Sequence, residues 1–219
     1  MNCPICAQES KGRPAKRFCP AKGEAICSIC CGRGREATID CPSDCPHLVA
    51  AHRYDSERAK APLGEKELPY PDVQFPLEFV YERWGIATGI AGAILRFQAA
   101  NRGLHDADAL AALASLAETY RTLDAGILYD HRPAGILAAG LYGEIGEFLG
   151  AYRKRAAEET GFSNAFKDGD LFRIFVFLLR LGRSESGERP LSRAFLGYLR
   201  DRVPAPAGAD REEQRIIVP

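Results

Sequence analysis

MNCPICAQESKGRPAKRFCPAKGEAICSICCGRGREATIDCPSDCPH, residues 1–47, holds all eight cysteines of the 219-residue chain: Cys3, Cys6, Cys19, Cys27, Cys30, Cys31, Cys41 and Cys45. None occurs after Cys45. A stretch of this length has too little apolar sequence for a core, since below about 40–50 residues folding usually needs metals or disulfides. Covalent or coordinate bonds are therefore expected to shape the N-terminus.

Disulfides need an oxidising compartment, and the opening MNCPICAQESKGRPAKRF has no apolar run that would serve as a signal peptide. In a reducing cytosol such cysteines bind metal. The compact cysteine run of cluster-binding ferredoxins is absent. Zinc is the expected ion, ahead of iron–sulfur and disulfides. Cys3-Pro-Ile-Cys6 and Cys27-Ser-Ile-Cys30 are C-x2-C pairs, the span of a tight turn that aims two thiolates at one tetrahedral ion. Cys31 follows Cys30 directly. In extended chain the two would point to opposite faces, which places Cys31 in a second site with Cys19, Cys41 and Cys45. Two ions are expected, held by interleaved sets, so that neither site folds without the other. His47 would be a ninth candidate, but eight thiolates already fill two tetrahedral sites; a capping or surface role suits it better. Asp44, Cys45 and Pro46 read as a helix start, with proline at the first helical position. That helix would run over 46–60 with His52 exposed on it, its dipole favouring a thiolate at Cys45.

These interleaved pairs resemble the cross-braced double-zinc modules of the HIT and MYND finger type, over residues 3–47 only. The resemblance implies a protein-interaction or assembly role. The pattern departs from that family at Cys19, which lacks a C-x2-C partner, and at the Cys30-Cys31 doublet. The stretch CSICCGRGREATIDCPSDCPHL also resembles an N-terminal signature of bacterial proteins, which implies no activity.

Formal charge is zero, with 29 basic and 29 acidic residues. Residues 1–60 carry ten Lys/Arg against seven acids; with eight thiolates and two zinc(II) ions this becomes about −1. A dedicated nucleic-acid binder usually has a strong positive excess. Nucleic-acid binding through residues 11–17 and the Arg33/Arg35 pair is thus the runner-up, and a protein partner is favoured. The most apolar run, residues 84–95, is bounded by Arg83 and Arg96. It falls short of the ~20 residues that cross a bilayer, so no membrane role is expected and a cytoplasmic protein is.

The expected fold is mainly α: a small N-terminal double-zinc module, then an all-α bundle of about five helices. Residues 1–60 form the module with its trailing helix, 61–76 a proline-rich linker, 77–203 the bundle and 204–219 a flexible tail. The linker is positioned to lie across the bundle through Leu68, Tyr70, Val73 and Phe75. Apolar residues at 3–4 spacing predict helices beginning near 77, 106 (capped by Asp106), 134, 168 and 191. IFVFLL within the fourth also fits a strand, but its neighbours favour helix. Glycines 85, 89 and 92, and 140, 143, 146 and 150, share helix faces suited to close packing. In the tail, residues 215–218 carry three β-branched side chains that would suit pairing with a strand edge.

Catalytic patterns are missing. No histidine has Glu three residues before it, as a carboxylate-bridged metal pair in a bundle needs. The paired acids Glu78/Glu82 and Glu144/Glu147 read as solvated charge. P-loop, G-x-G-x-x-G, G-x-S-x-G and H-E-x-x-H motifs are absent. A cluster around Tyr120, Arg121, Tyr129 and His131 reads first as an internal ion-pair network and second as a ligand site. A non-enzymatic protein is favoured, with an enzyme whose site lies in the bundle as the further alternative.

Overall fold

The computed structural model describes residues 3–7, 16–58, 63–64, 67–160 and 167–203. Among them the chain is mainly helical, with eight helices and a single two-stranded sheet. Strands β1 (Lys16–Cys19) and β2 (Glu24–Cys27) form an antiparallel hairpin. Helices α1 (Ser28–Gly34) and α2 (Pro46–Ser56) complete the N-terminal part. A bundle follows: α3 (Leu77–Glu82), α4 (Trp84–Ala100), α5 (Asp106–Asp124), α6 (Ile136–Thr160), α7 (Asp168–Glu185) and α8 (Ala194–Arg202). The predicted tail segment 204–219 lies outside the described residues.

The bundle is built around α5 and α7, the most extensively packed pair. In α7 the buried positions Leu171, Ile174, Phe175, Leu178, Leu179 and Gly182 recur at 3–4 spacing, a helical stripe that settles the strand ambiguity of IFVFLL. Ala109, Leu113 and Leu116 of α5, Leu141, Ile145 and Leu149 of α6, and Ile86, Ile90 and Ile94 of α4 share the same core. The first expected bundle helix is interrupted. Arg83 adopts φ −103, ψ 6 between α3 and α4, and its guanidinium reaches Asp170 on α7 at 3.2 Å. The glycine faces are only partly close-packed. A Cβ on Gly89 would stand 2.3 Å from the Phe148 ring, and one on Gly140 2.9 Å from Phe97. Gly143, Gly146 and Gly150 have nothing within 4 Å of a built Cβ; their side of α6 faces outward.

The described part of the proline-rich segment is fastened across the bundle. Tyr70 packs edge-on against Phe172 and Phe75 against Phe177, with centroids 5.3 and 6.0 Å apart. Arg180 on α7 donates to the carbonyls of Pro69 (2.9 Å), Tyr70 and Val73 (3.0 Å). Its guanidinium lies 4.8 Å from the Phe75 ring centroid. Arg180→Ala is expected to cost about 2 kcal/mol, because hydrogen bonds from a charged donor contribute more than neutral ones. Urea denaturation measures that cost, and new protease cuts within 67–76 locate it.

The N-terminal part sits on the bundle through buried polar groups. Arg193, only 2% exposed, donates from Nε to the Leu104 carbonyl (3.1 Å) and from Nη2 to that of Arg102 (2.9 Å). Its Nη1 reaches the Cys41 carbonyl (2.8 Å) and Asp40. The Arg193 backbone N–H donates to Glu36 Oε1 (2.6 Å), and Leu191 N–H to the Glu36 carbonyl (2.9 Å). His52, expected to be exposed, instead holds both Glu36 carboxylate oxygens at 3.0–3.1 Å. Burial alone would raise the Glu36 pKa, but His52 and the Arg193 N–H outweigh it and hold the carboxyl below its ordinary value. Asp106 does not cap its own helix; His105 does, with Asp108 in a capping box. Asp106 is buried and accepts instead from the N–H groups of Phe195 and Leu196, both at 3.1 Å, and from Ser192 Oγ at 2.7 Å. It thereby satisfies the open start of α8.

Candidate metal centre

The hairpin register separates the thiols. Cys27 lies opposite Lys16, Ile26 opposite Arg17, and Cys19 opposite Glu24. Side chains alternate faces along a strand and cross-strand partners share a face. Cys27 therefore points to one side of the sheet, and Cys19, with the fully buried Ile26, to the other. Gly23 makes the reversal possible at φ +68, and its N–H donates to the Cys19 carbonyl at 2.8 Å. The segment after β2 is α1 rather than extended chain, which replaces the geometric reason expected for parting Cys30 from Cys31. Neighbours on a helix diverge by about 100°. Cys31 turns into the interior while Cys30 stays half-buried.

Two turns bring four sulfurs together. In the first, the Ala7 N–H closes onto the Cys3 carbonyl at 2.8 Å, with Ala7 at φ +53. In the second, Cys27 caps α1, its Sγ accepting the Cys30 N–H at 3.4 Å. The Cys27 N–H in turn donates to Cys3 Sγ at 3.4 Å, joining the two turns across 24 residues. The Sγ atoms of Cys3, Cys6, Cys27 and Cys30 all lie within 4.8 Å of one another, close enough to bind a metal ion. Four thiolates at zinc's ~2.3 Å bond length would stand about 3.8 Å apart, so the donor set fits such an ion in number, chemistry and spacing. Backbone N–H groups, Cys27's above all, lower the Cys3 thiol to about 6. Cys30 is raised to about 12, chiefly by sharing a hydrogen bond with the Cys27 sulfur and then by desolvation. A cation among the sulfurs would remove that conflict by drawing the protons off.

Cys19, Cys31, Cys41 and Cys45 are buried in one cluster with Ile26, Ile39 and Leu48, which Cys3 of the first set also joins. Burial pushes the Cys41 thiol up, a backbone N–H at Glu36 opposes that, and the nearby Cys45 and Cys19 add to the rise. Among the described residues, the 4.8 Å convergence is met by the first set. The predicted start of α2 is present, with Cys45 as cap and Pro46 in the first turn. His47, half-buried in that turn, stands apart from the converging thiols.

The other polar cluster divides between core and surface. Tyr120 stacks on Phe175, centroids 5.4 Å apart. Arg121 pairs with Glu118 at 2.6 Å, and Glu118 also accepts the Tyr70 hydroxyl at 2.6 Å. The His131 N–H donates to Thr119 Oγ1 at 2.9 Å, and its ring meets Tyr129 edge-on at 4.5 Å. Tyr129 and His131 line an open recess of about 490 Å³. Of the paired acids, Glu144 stands 3.9 Å from Arg96 and Glu82 3.6 Å from Arg83, as solvated charges do. Sequence reading missed Glu36, Arg193 and Ser192, whose partners lie far away along the chain; Asp106 carried a signal, as a helix-start residue, but for the wrong helix.

No family model, curated protein or solved structure matches the chain. No helix among the described residues is long and apolar enough to cross a membrane.

Proposed function

We propose that the chain is a non-enzymatic zinc-binding protein whose N-terminal module serves as a protein-interaction or assembly unit in the cytoplasm. Two zinc ions fold the module, one on each face of the hairpin. Cys3, Cys6, Cys27 and Cys30 hold the first; Cys19, Cys31, Cys41 and Cys45 hold the second. The observation that carries this reading is the convergence of four sulfurs from two C-x2-C turns 24 residues apart. Four thiolates leave a tetrahedral ion no open position for substrate, which supports a structural role over a catalytic one. The similarity of residues 3–47 to HIT and MYND fingers points the same way. Native mass spectrometry of the purified chain tests it. Two zinc ions per chain, lost with the N-terminal fold on chelation, are expected. A chain free of metal, or one carrying an iron–sulfur chromophore, refutes the reading.

A further inference from the structure

A groove runs along the outer side of α4. Two recesses, of about 600 and 350 Å³, lie side by side and share Leu95, Ala99 and Arg200. Gly85, Gly89, Gly92, Leu95 and Ala99 form the floor. Phe148 of α6 and Arg200 of α8 stand beside it, and Pro42, Ser43 and Asp44 close the far end. Those three residues span the loop between Cys41 and Cys45, held by Gln98 donating to Ser43 Oγ (3.1 Å) and Arg200 to the Ser43 carbonyl (3.3 Å). Module and bundle thus line one surface together.

Among the described residues the floor is open at Gly85 and Gly92 and covered between them, where the Phe148 ring lies against Gly89. A Cβ on Gly85 would meet only the Tyr152 hydroxyl at 4.0 Å, and one on Gly92 only the Arg96 guanidinium at 3.6 Å. Its charge is predominantly positive. Arg96, Arg102 and Arg200 line it against Asp44, and Glu144 approaches Arg96 only to 3.9 Å.

We infer that this groove seats an amphipathic helix of a partner protein, apolar along one stripe and acidic at its flanks. Residues three and four apart on α4 form the rows into which the ridges of a second helix pack. Among the described residues the elements beside the floor are helices, with no strand edge to pair an extended peptide. From Gly85 to Ala99 the floor is about 20 Å long, four turns of helix. Gly85 and Gly92 leave room on either side of the Phe148 ring, which together with Leu95 supplies the apolar contact. Acidic flanks answer the three arginines. The inference rests on the interaction role proposed above and specifies the partner's chemistry.

Fluorescence anisotropy on the full metal-loaded chain tests it. The probe is a labelled synthetic helix of about 18 residues, five turns, with a Leu/Ala stripe and glutamate flanks; a twin carries lysine flanks. The glutamate peptide should bind at least about tenfold tighter than its twin. Gly92→Leu fills the floor from a position whose Cβ meets only the Arg96 guanidinium, and should weaken binding at least about tenfold with metal content and melting midpoint retained. Arg102→Glu should erase the preference between peptides. Equal binding of the two peptides, or undiminished binding by Gly92→Leu, overturns the proposal. Sedimentation showing that the chain alone is a dimer, and Gly92→Leu a monomer, gives the groove to a second copy and also overturns it. A chain that holds its ions but ignores both peptides defeats this inference alone; a chain without metal defeats the module reading instead.

Discussion

Cys27→Ser is expected to unfold residues 16–58 while the helical bundle stays folded. Cys27 has three roles: its sulfur joins the converging quartet, the same sulfur caps α1, and its N–H supports the Cys3 thiolate. Serine retains the backbone N–H and is a good helix cap, so only ligation is removed. A bound zinc supplies on the order of 10 kcal/mol of folding free energy at neutral pH, more than a segment of this size otherwise has. Loss of one ligand should therefore empty the site and, because the sets interleave along the chain, the proposed second site with it. Native mass spectrometry counts the ions, and limited proteolysis shows where the chain has opened. A Cys27→Ser protein that keeps its metal and resists protease between 16 and 58 would sink the coordination argument. Near-native stability would show that capping had been the residue's whole contribution.

The second large effect is expected at Arg193. Its side chain is almost wholly enclosed and hydrogen-bonds three carbonyls and Asp40 from one planar fork. Arg193→Ala strands those acceptors where water does not replace the donor, and removing one member of a buried charged network typically costs about 3–5 kcal/mol. Arg193→Lys should rescue little, since an ammonium on a flexible stem does not reproduce the fork. Urea denaturation gives the magnitude. Retained metal content then distinguishes a broken seat from a broken site, because Arg193 touches the Cys41 carbonyl and not its sulfur. Loss of less than about 1 kcal/mol, the usual worth of an exposed pair, would mean that solvent reaches the seat.

What the sequence disclosed followed from how local each signal was. The helix starts at Asp106 and Asp168 and the Pro46 entry to α2 were readable because period and cap lie within a few residues of each other. The hairpin and α1 were not read. Four-residue strands and a seven-residue helix carry too little pattern, and thiol placement rather than propensity dictates their shape. The first cysteine set was legible from its two C-x2-C pairs, and the structure gathers it within binding distance. The Pro69–Phe75 strap was foreseen from its apolar residues, but its clamp, Arg180, looked like an ordinary helix charge. Glu36, His52 and Arg193 were opaque for the same reason. Each makes sense only against a residue distant in sequence, and one-dimensional reading treats a lone arginine or histidine as solvated.

The Cys41–Arg193 contact carries a consequence for biosynthesis. Its donor is translated 152 residues after its acceptor. At roughly 5–20 residues per second, the nascent N-terminus waits about 8 to 30 seconds for the wall that will cover it. Throughout that interval the N-terminal part lacks its seat on the bundle, and any thiol left without an ion is open to oxidants. An ion taken up by the quartet would therefore bind before docking, which waits for Arg193.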